Sequence, residues 1–281
     1  MADIGILFGL LAMLGWGVSD FLSKMAVHRV GVHRTLVYAY TTGTLIAVGA
    51  FLLYPRFSSM SIGIAFIFLV EAALNFAGYL FFYKGMEHDD ISLLSPIVAA
   101  YPLIIVLLSL IILHEKITLL QAIAMFLIPV GLIALSAKSG SHGLRRRRGI
   151  ALALGAMLIF GVSIFLYGYL VQATNWILAL AVGRVLASLM ILSFVAAKRS
   201  PLRIPLSATP LLIITGILEV GGTIGYSIGV SISQISLISV ISSTYPLVVV
   251  ALAWLFLREW LNTIQKLGVL GVIAGLVLIS L

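Results

Sequence analysis

The chain has 281 residues, 62% of them hydrophobic and only 9% charged, with a formal net charge of +8 and no cysteine. A soluble domain carries about 25% charged residues, so a water-exposed globule is excluded; without cysteine, so are disulfides and thiol chemistry. The basic surplus lies in short clusters beside apolar runs, which points to membrane topology and away from nucleic acid.

In chain order, ten apolar runs are predicted as membrane-spanning helices: 4–23, 35–53, 62–83, 92–113, 118–136, 149–170, 175–196, 208–229, 235–257 and 263–281. Their length suits about 30 Å of hydrocarbon, and a helix satisfies its own backbone in lipid. They are unbroken runs, not the alternating short segments of a membrane barrel. The first run has no basic lead and no small-residue cleavage site, so it reads as a retained span. Short polar breaks separate the runs. The fifth, "AKSGSHGLRRRRG", is the natural midpoint, and its arginines read as a lipid-headgroup or cytoplasmic anchor.

Two stretches nearly coincide: "SLLSPIVAAYPLIIVLLSLIILHEKITLLQ" from Ser92 and "SLISVISSTYPLVVVALAWLFLREWLNTIQ" from Ser236. A gapless offset of 144 relates Tyr101 to Tyr245, Pro102 to Pro246, Glu115 to Glu259, and Gly78 and Gly85 to Gly222 and Gly229. The expected organisation is a duplication: 1–137 as one five-helix repeat, 138–148 as a basic linker, and 149–281 as the second repeat. Five spans per copy is odd, so the copies must enter the membrane upside down to each other. That is the inverted repeat of many transporters, with the substrate site near the midplane. The expected fold class is therefore an all-α integral membrane protein of ten transmembrane helices in two inverted five-helix repeats.

Pro102 and Pro246 each fall midway along a span, where proline removes an amide donor and clashes with the preceding turn. Each is either a packing kink or a hinge beside a cavity.

These features resemble a known family. Two five-span repeats, a "WG-S" phrase at Trp16, Gly17 and Ser19, and a proline span ending in "HE-IT--Q" are similar to EamA-type carriers of the drug/metabolite transporter superfamily. The matching positions are Pro96, Pro102, Glu115, Thr118, Gln121 and Gly131, then Pro246, Glu259, Gln265, Gly268 and Gly275. Val240 replaces the first proline in the second copy, and Asn262 stands where Thr118 stands in the first. The resemblance implies secondary transport of a small metabolite, commonly export of amino acids or related compounds, by alternating access. A passive channel and an intramembrane lipid-handling protein are the alternatives.

An ionisable side chain in mid-membrane is costly, so it is a functional candidate by default. Glu71, Arg184 and Glu219 qualify by depth. Arg184 can grip a carboxylate or phosphate in two hydrogen bonds, or it can be neutralised by Glu71 or Glu219 and clamp helices. Its repeat equivalent is Tyr40; that of Glu219 is Asn75. Either carboxylate could exchange a proton, bind a substrate ammonium, or pair with Arg184. Asp20 and Lys24, four apart, read as a local ion pair or anchor. Glu115 and Glu259 read as interfacial groups capping the next short helix. Tyr101 and Tyr245 adjoin the kinks, and Ser95, Ser239 and Ser243 lie one to two turns before them. Trp16 and Tyr79 complete the candidate lining. GxxxG pairs such as Gly5–Gly9 and Gly221–Gly225 serve close helix packing within the chain or between two copies; monomer and homodimer both stay open. The five histidines lack paired-ligand spacing and no P-loop is present, so no metal, cofactor or enzymatic activity is expected. The expected partners are a small molecule, the bilayer and, as a coupling ion, protons.

Lysines and arginines number fourteen in the odd-numbered breaks against two, Arg56 and Lys116, in the even ones. The positive-inside rule then places the odd breaks in the cytoplasm of a cell whose plasma or inner membrane holds the chain, with both termini outside.

Overall fold

The structure is a computed structural model describing residues 2–89, 91–135, 144–257 and 262–280. Among these residues there is no strand. In chain order the helices are α1 (Ala2–Val30), α2 (Val32–Leu53), α3 (Ile62–Met86), α4 (Ile91–Val98), α5 (Pro102–Ile112), α6 (Leu119–Leu135), α7 (Leu144–Ala173), α8 (Trp176–Ala197), α9 (Thr209–Ile232), α10 (Ile235–Ser242), α11 (Pro246–Leu257) and α12 (Thr263–Ser280). Eight stretches are long and apolar enough to cross a bilayer: α1, α2, α3, α4 with α5, α7, α8, α9, and α10 with α11. Helices α6 and α12 are apolar but shorter.

Two predicted boundaries move. Helix α1 continues through Lys24, His28 and Arg29 to Val30, and only Gly31 interrupts it, at φ +84. That left-handed value suits glycine, which has no Cβ to clash. The basic residues sit on a helical extension of the span and not in a loop. Likewise α7 starts at Leu144, so the four arginines form its first turns. The rest of the expected linker lies outside the described residues.

The two proline spans are broken helices, not kinked ones. Between α4 and α5 the chain switches to i→i+3 bonds: Ala100 N to Ile97 O (3.3 Å), Tyr101 N to Val98 O (3.1 Å) and Ile104 N to Tyr101 O (3.0 Å). Between α10 and α11 the same register recurs: Thr244 N to Ile241 O (3.2 Å), Tyr245 N to Ser242 O (3.2 Å) and Val248 N to Tyr245 O (3.0 Å). Each proline opens the second half-helix, a position where its missing amide costs nothing. Tighter winding supplies partners for carbonyls that proline would otherwise leave open.

The closest helix pairings are α1 on α9, α3 on α7 and α6 on α12, with α2 packed on both α8 and α9. Close backbone approach sets two of these pairs. A Cβ on Gly222 would stand 2.5 Å from Trp16 Cδ1, and one on Gly268 would stand 2.6 Å from Gly131 O. Gly5, Gly225 and Gly229 also face neighbouring helices of the same chain, whereas Gly221 faces open space. The GxxxG spacing thus serves packing inside the chain at these positions.

Connections bond to each other by face. The α1–α2 corner meets the α8–α9 loop through Arg34 Nε to Pro201 O (2.9 Å) and His33 Nδ1 with Ser200 Oγ (2.7 Å). Lys24 Nζ donates to Met86 O (2.7 Å) and Asp89 O (2.6 Å). On the other face, Asn175 caps α8 and donates to Arg56 O (3.2 Å), and Gln234 donates to Lys116 O (2.8 Å). Odd-numbered breaks touch odd ones, and even touch even.

Glu115 caps a different helix from the one expected. Helix α6 caps itself through a Thr118–Gln121 box, as α12 does through Asn262–Gln265. Asn262 therefore does the work of the threonine it replaces. Glu115 instead accepts from Ile235 N (2.9 Å) and Ser236 N (3.2 Å), at the N-terminus of α10, where a carboxylate meets orphan amides and the positive end of the dipole. Glu259 lies outside the described residues.

Candidate functional site

A central cavity of about 80 Å³, counted as room for water centres, is enclosed by α1, α2, α3, α7, α8, α9 and the two broken spans. At roughly 10–15 Å³ per water by that measure, it holds several waters or one small solute. Its wall includes Trp16, Glu71, Asn75, Tyr79, Tyr101, Arg184, Glu219 and Tyr245, all candidates from the sequence. It also includes Asp20, Tyr40, Phe82, Phe160, Tyr167, Thr223 and Tyr226.

The sequence reading placed three serines here that the cavity does not contain. Ser239 bonds to Tyr226 Oη (2.9 Å), Ser243 folds back on Val240 O (2.8 Å), and Ser95 is buried off the wall. Depth along a span is legible from sequence; which face of the helix meets the cavity depends on the packing of its neighbours.

Arg184 is buried on α8. Its guanidinium forms an ion pair with Glu219 through Nη2, which also donates to Thr223 Oγ1 (2.8 Å). Its Cζ sits 4.8 Å from the centre of the Tyr40 ring, within cation–π range. Glu219 accepts a further bond from Tyr79 Oη (2.9 Å). Glu71 is buried on α3, and Oε1 accepts from Ser163 Oγ (3.2 Å). Asp20 is not engaged with Lys24 as the spacing suggested. Lys24 reaches the carbonyls at the end of α3, while Asp20 faces the cavity.

The contacts repeat at the 144 offset. The Tyr40–Asn75 hydrogen bond occupies the position equivalent to the Arg184–Glu219 pair. Ser23 with Tyr83 (2.9 Å) matches Tyr167 with Ser227 (2.7 Å). Ser19 Oγ to Thr215 O (3.1 Å) matches Ser163 Oγ to Glu71 O (3.5 Å). Thr44 and Ser188, equivalent to each other, touch directly at 2.6 Å. In the wall, Trp16 corresponds to Phe160, Asp20 to Ile164, Tyr79 to Thr223, and Tyr101 to Tyr245.

The model of the EamA-like transporter family matches this chain twice, over residues 3–137 and 147–281. The chain belongs to the EamA-like transporter family. It is thus a multi-pass membrane protein of the drug/metabolite transporter type. An uncharacterized protein of Methanocaldococcus jannaschii is similar to it, 28% identical over 134 residues, which is 48% of this chain and 97% of that protein. A solved crystal structure superposes with a TM-score of 0.77 at 16% identity, covering 98% of this chain and 95% of its own. At that identity the likeness is one of fold.

Proposed function

We propose that the chain is a secondary carrier that moves a small metabolite, an amino acid or related compound, outward by alternating access. Two inverted five-span halves, 1–137 and 149–281, would rock around the central cavity, with the broken spans at Pro102 and Pro246 as hinges. The observation that carries this reading is the recurrence of cavity contacts at one sequence offset. The relative that spans one half of the chain also supports a unit of that size.

Odd-to-odd and even-to-even contacts between connections support ten crossings, with the basic face in the cytoplasm of the plasma or inner membrane. The hydroxyl pairs Ser23–Tyr83 and Tyr167–Ser227 are repeat equivalents, as two halves that exchange roles in a carrier would require. Arg184, Glu219 and Glu71 are its charged elements, with Asn75, Tyr79, Tyr101, Tyr245 and Trp16 around them; protons are the candidate coupling ion.

The test is counterflow. Liposomes holding the purified protein are loaded with an excess of one unlabelled metabolite and diluted into trace label, across a panel of amino acids and related compounds. A carrier accumulates label transiently above equilibrium for at least one solute. Passive equilibration for every solute that enters would overturn the proposal.

A further inference from the structure

Three carboxylates and one guanidinium line the cavity: Asp20, Glu71 and Glu219 against Arg184. Arg184 and Glu219 bind each other. The remaining guanidinium nitrogen, Nη1, lies against the position of Gly43, which is not part of the wall. A substrate carboxylate would therefore have to displace Glu219 to reach the arginine. Glu71 has a hydroxyl partner in Ser163. Asp20 has no hydrogen bond or ion pair to any described residue, yet it is only 8% exposed and faces the cavity. Around it stand Glu219 and the hydroxyls of Tyr83, Tyr101 and Tyr245. An unpaired carboxylate in such a place is costly unless it takes up a proton or a cation meets it.

The walls narrow down which cation. Nine of the nineteen lining residues are aromatic, and ring faces attract organic cations. An inorganic ion would want several oxygen ligands in a shell; among the described residues no group of three His, Asp or Glu side chains forms one. We propose that Asp20 is the cation-binding carboxylate of the cavity and that it receives a protonated amine on a small, flat apolar body. This rests on the carrier reading above and names the group by which such a carrier holds its substrate: the ammonium, not the carboxylate.

The experiment is isothermal titration of the detergent-purified full chain at one neutral pH with benzylammonium, benzyl alcohol and benzoate, which share a ring and differ in charge. Benzylammonium should bind at least about tenfold tighter than benzyl alcohol, a factor that corresponds to one charge-assisted contact, and benzoate should not compete. D20N should fall to the benzyl alcohol level, and D20E should restore the preference. Wild-type binding of benzoate or benzyl alcohol as tight as that of benzylammonium overturns the proposal. So does a D20N chain that keeps wild-type affinity. Should D20N fail to elute as a folded species, the ligand order on the wild-type chain decides alone. Metabolite counterflow without benzylammonium binding would sink this inference and spare the carrier; binding without counterflow of any solute would do the reverse.

Discussion

Replacing Arg184 by methionine keeps an unbranched apolar stem and removes the charged head of the side chain. Glu219 then stays in a site where both side chains are almost wholly enclosed, with 6% and 7% exposure. Stranding one partner of a buried pair costs about 3–5 kcal/mol. The bonds from Tyr79 and Thr223 to Glu219 persist (2.9 and 3.4 Å), which puts R184M toward the lower end of that range. E219Q strands the guanidinium in the same way. The double variant R184M/E219Q leaves no isolated charge, so it should be more stable than the sum of the singles by about 2 kcal/mol or more. Reversible unfolding in mixed micelles with rising dodecyl sulfate measures all four stabilities. Singles that add to the double within about 0.5 kcal/mol would refute the pairing. Counterflow should be lost in R184M and should not return in the double, because stability is regained without the field that shapes the cavity.

Gly222→Ala should cost about 1–3 kcal/mol by driving Trp16 off the α9 backbone, whereas Gly221→Ala, whose Cβ meets open space, should be neutral; thermal unfolding followed by size exclusion separates them. Glu115→Ala should weaken the start of α10 by about 1 kcal/mol, read as roughly fivefold faster amide exchange across Ile235–Ser242, with α6 unaffected because it caps itself. Pro246→Ala restores an amide at the junction and should leave the chain folded while slowing counterflow. An unchanged rate would remove the hinge role.

Eight of the spans and the twofold family match were legible because lipid imposes a length on apolar runs and a duplication leaves a fixed offset. The broken helices were only half legible: Pro102 and Pro246 marked the place, but the switch to i→i+3 bonding depends on how the freed carbonyls are met. Ser95 and Ser239 precede their tyrosines by six residues and Ser243 by two, about 240° and 200° around a regular helix, so a shared depth did not carry them to the cavity wall. Asp20 reads from sequence as an ion pair or anchor because Lys24 sits one turn away. The carbonyls at the end of α3, distant in sequence, are the stronger attraction for that lysine. Tyr40 carried a usable signal: as the repeat equivalent of Arg184 it must meet Arg184 wherever a two-fold axis passes between α2 and α8.

Repeat-equivalent loops must face opposite sides of the membrane if the halves are inverted. Phe57 and Pro201 are such a pair, both exposed, and the chain has no native cysteine to interfere. Cells producing F57C or P201C are treated with a membrane-impermeant maleimide, before and after permeabilisation. Inverted halves require the two to react from opposite sides, and the charge bias makes F57C the one that reacts in intact cells and P201C the one that needs the membrane opened. Reaction of both from the same side would mean that the halves lie parallel, and the shared central cavity would have to be abandoned.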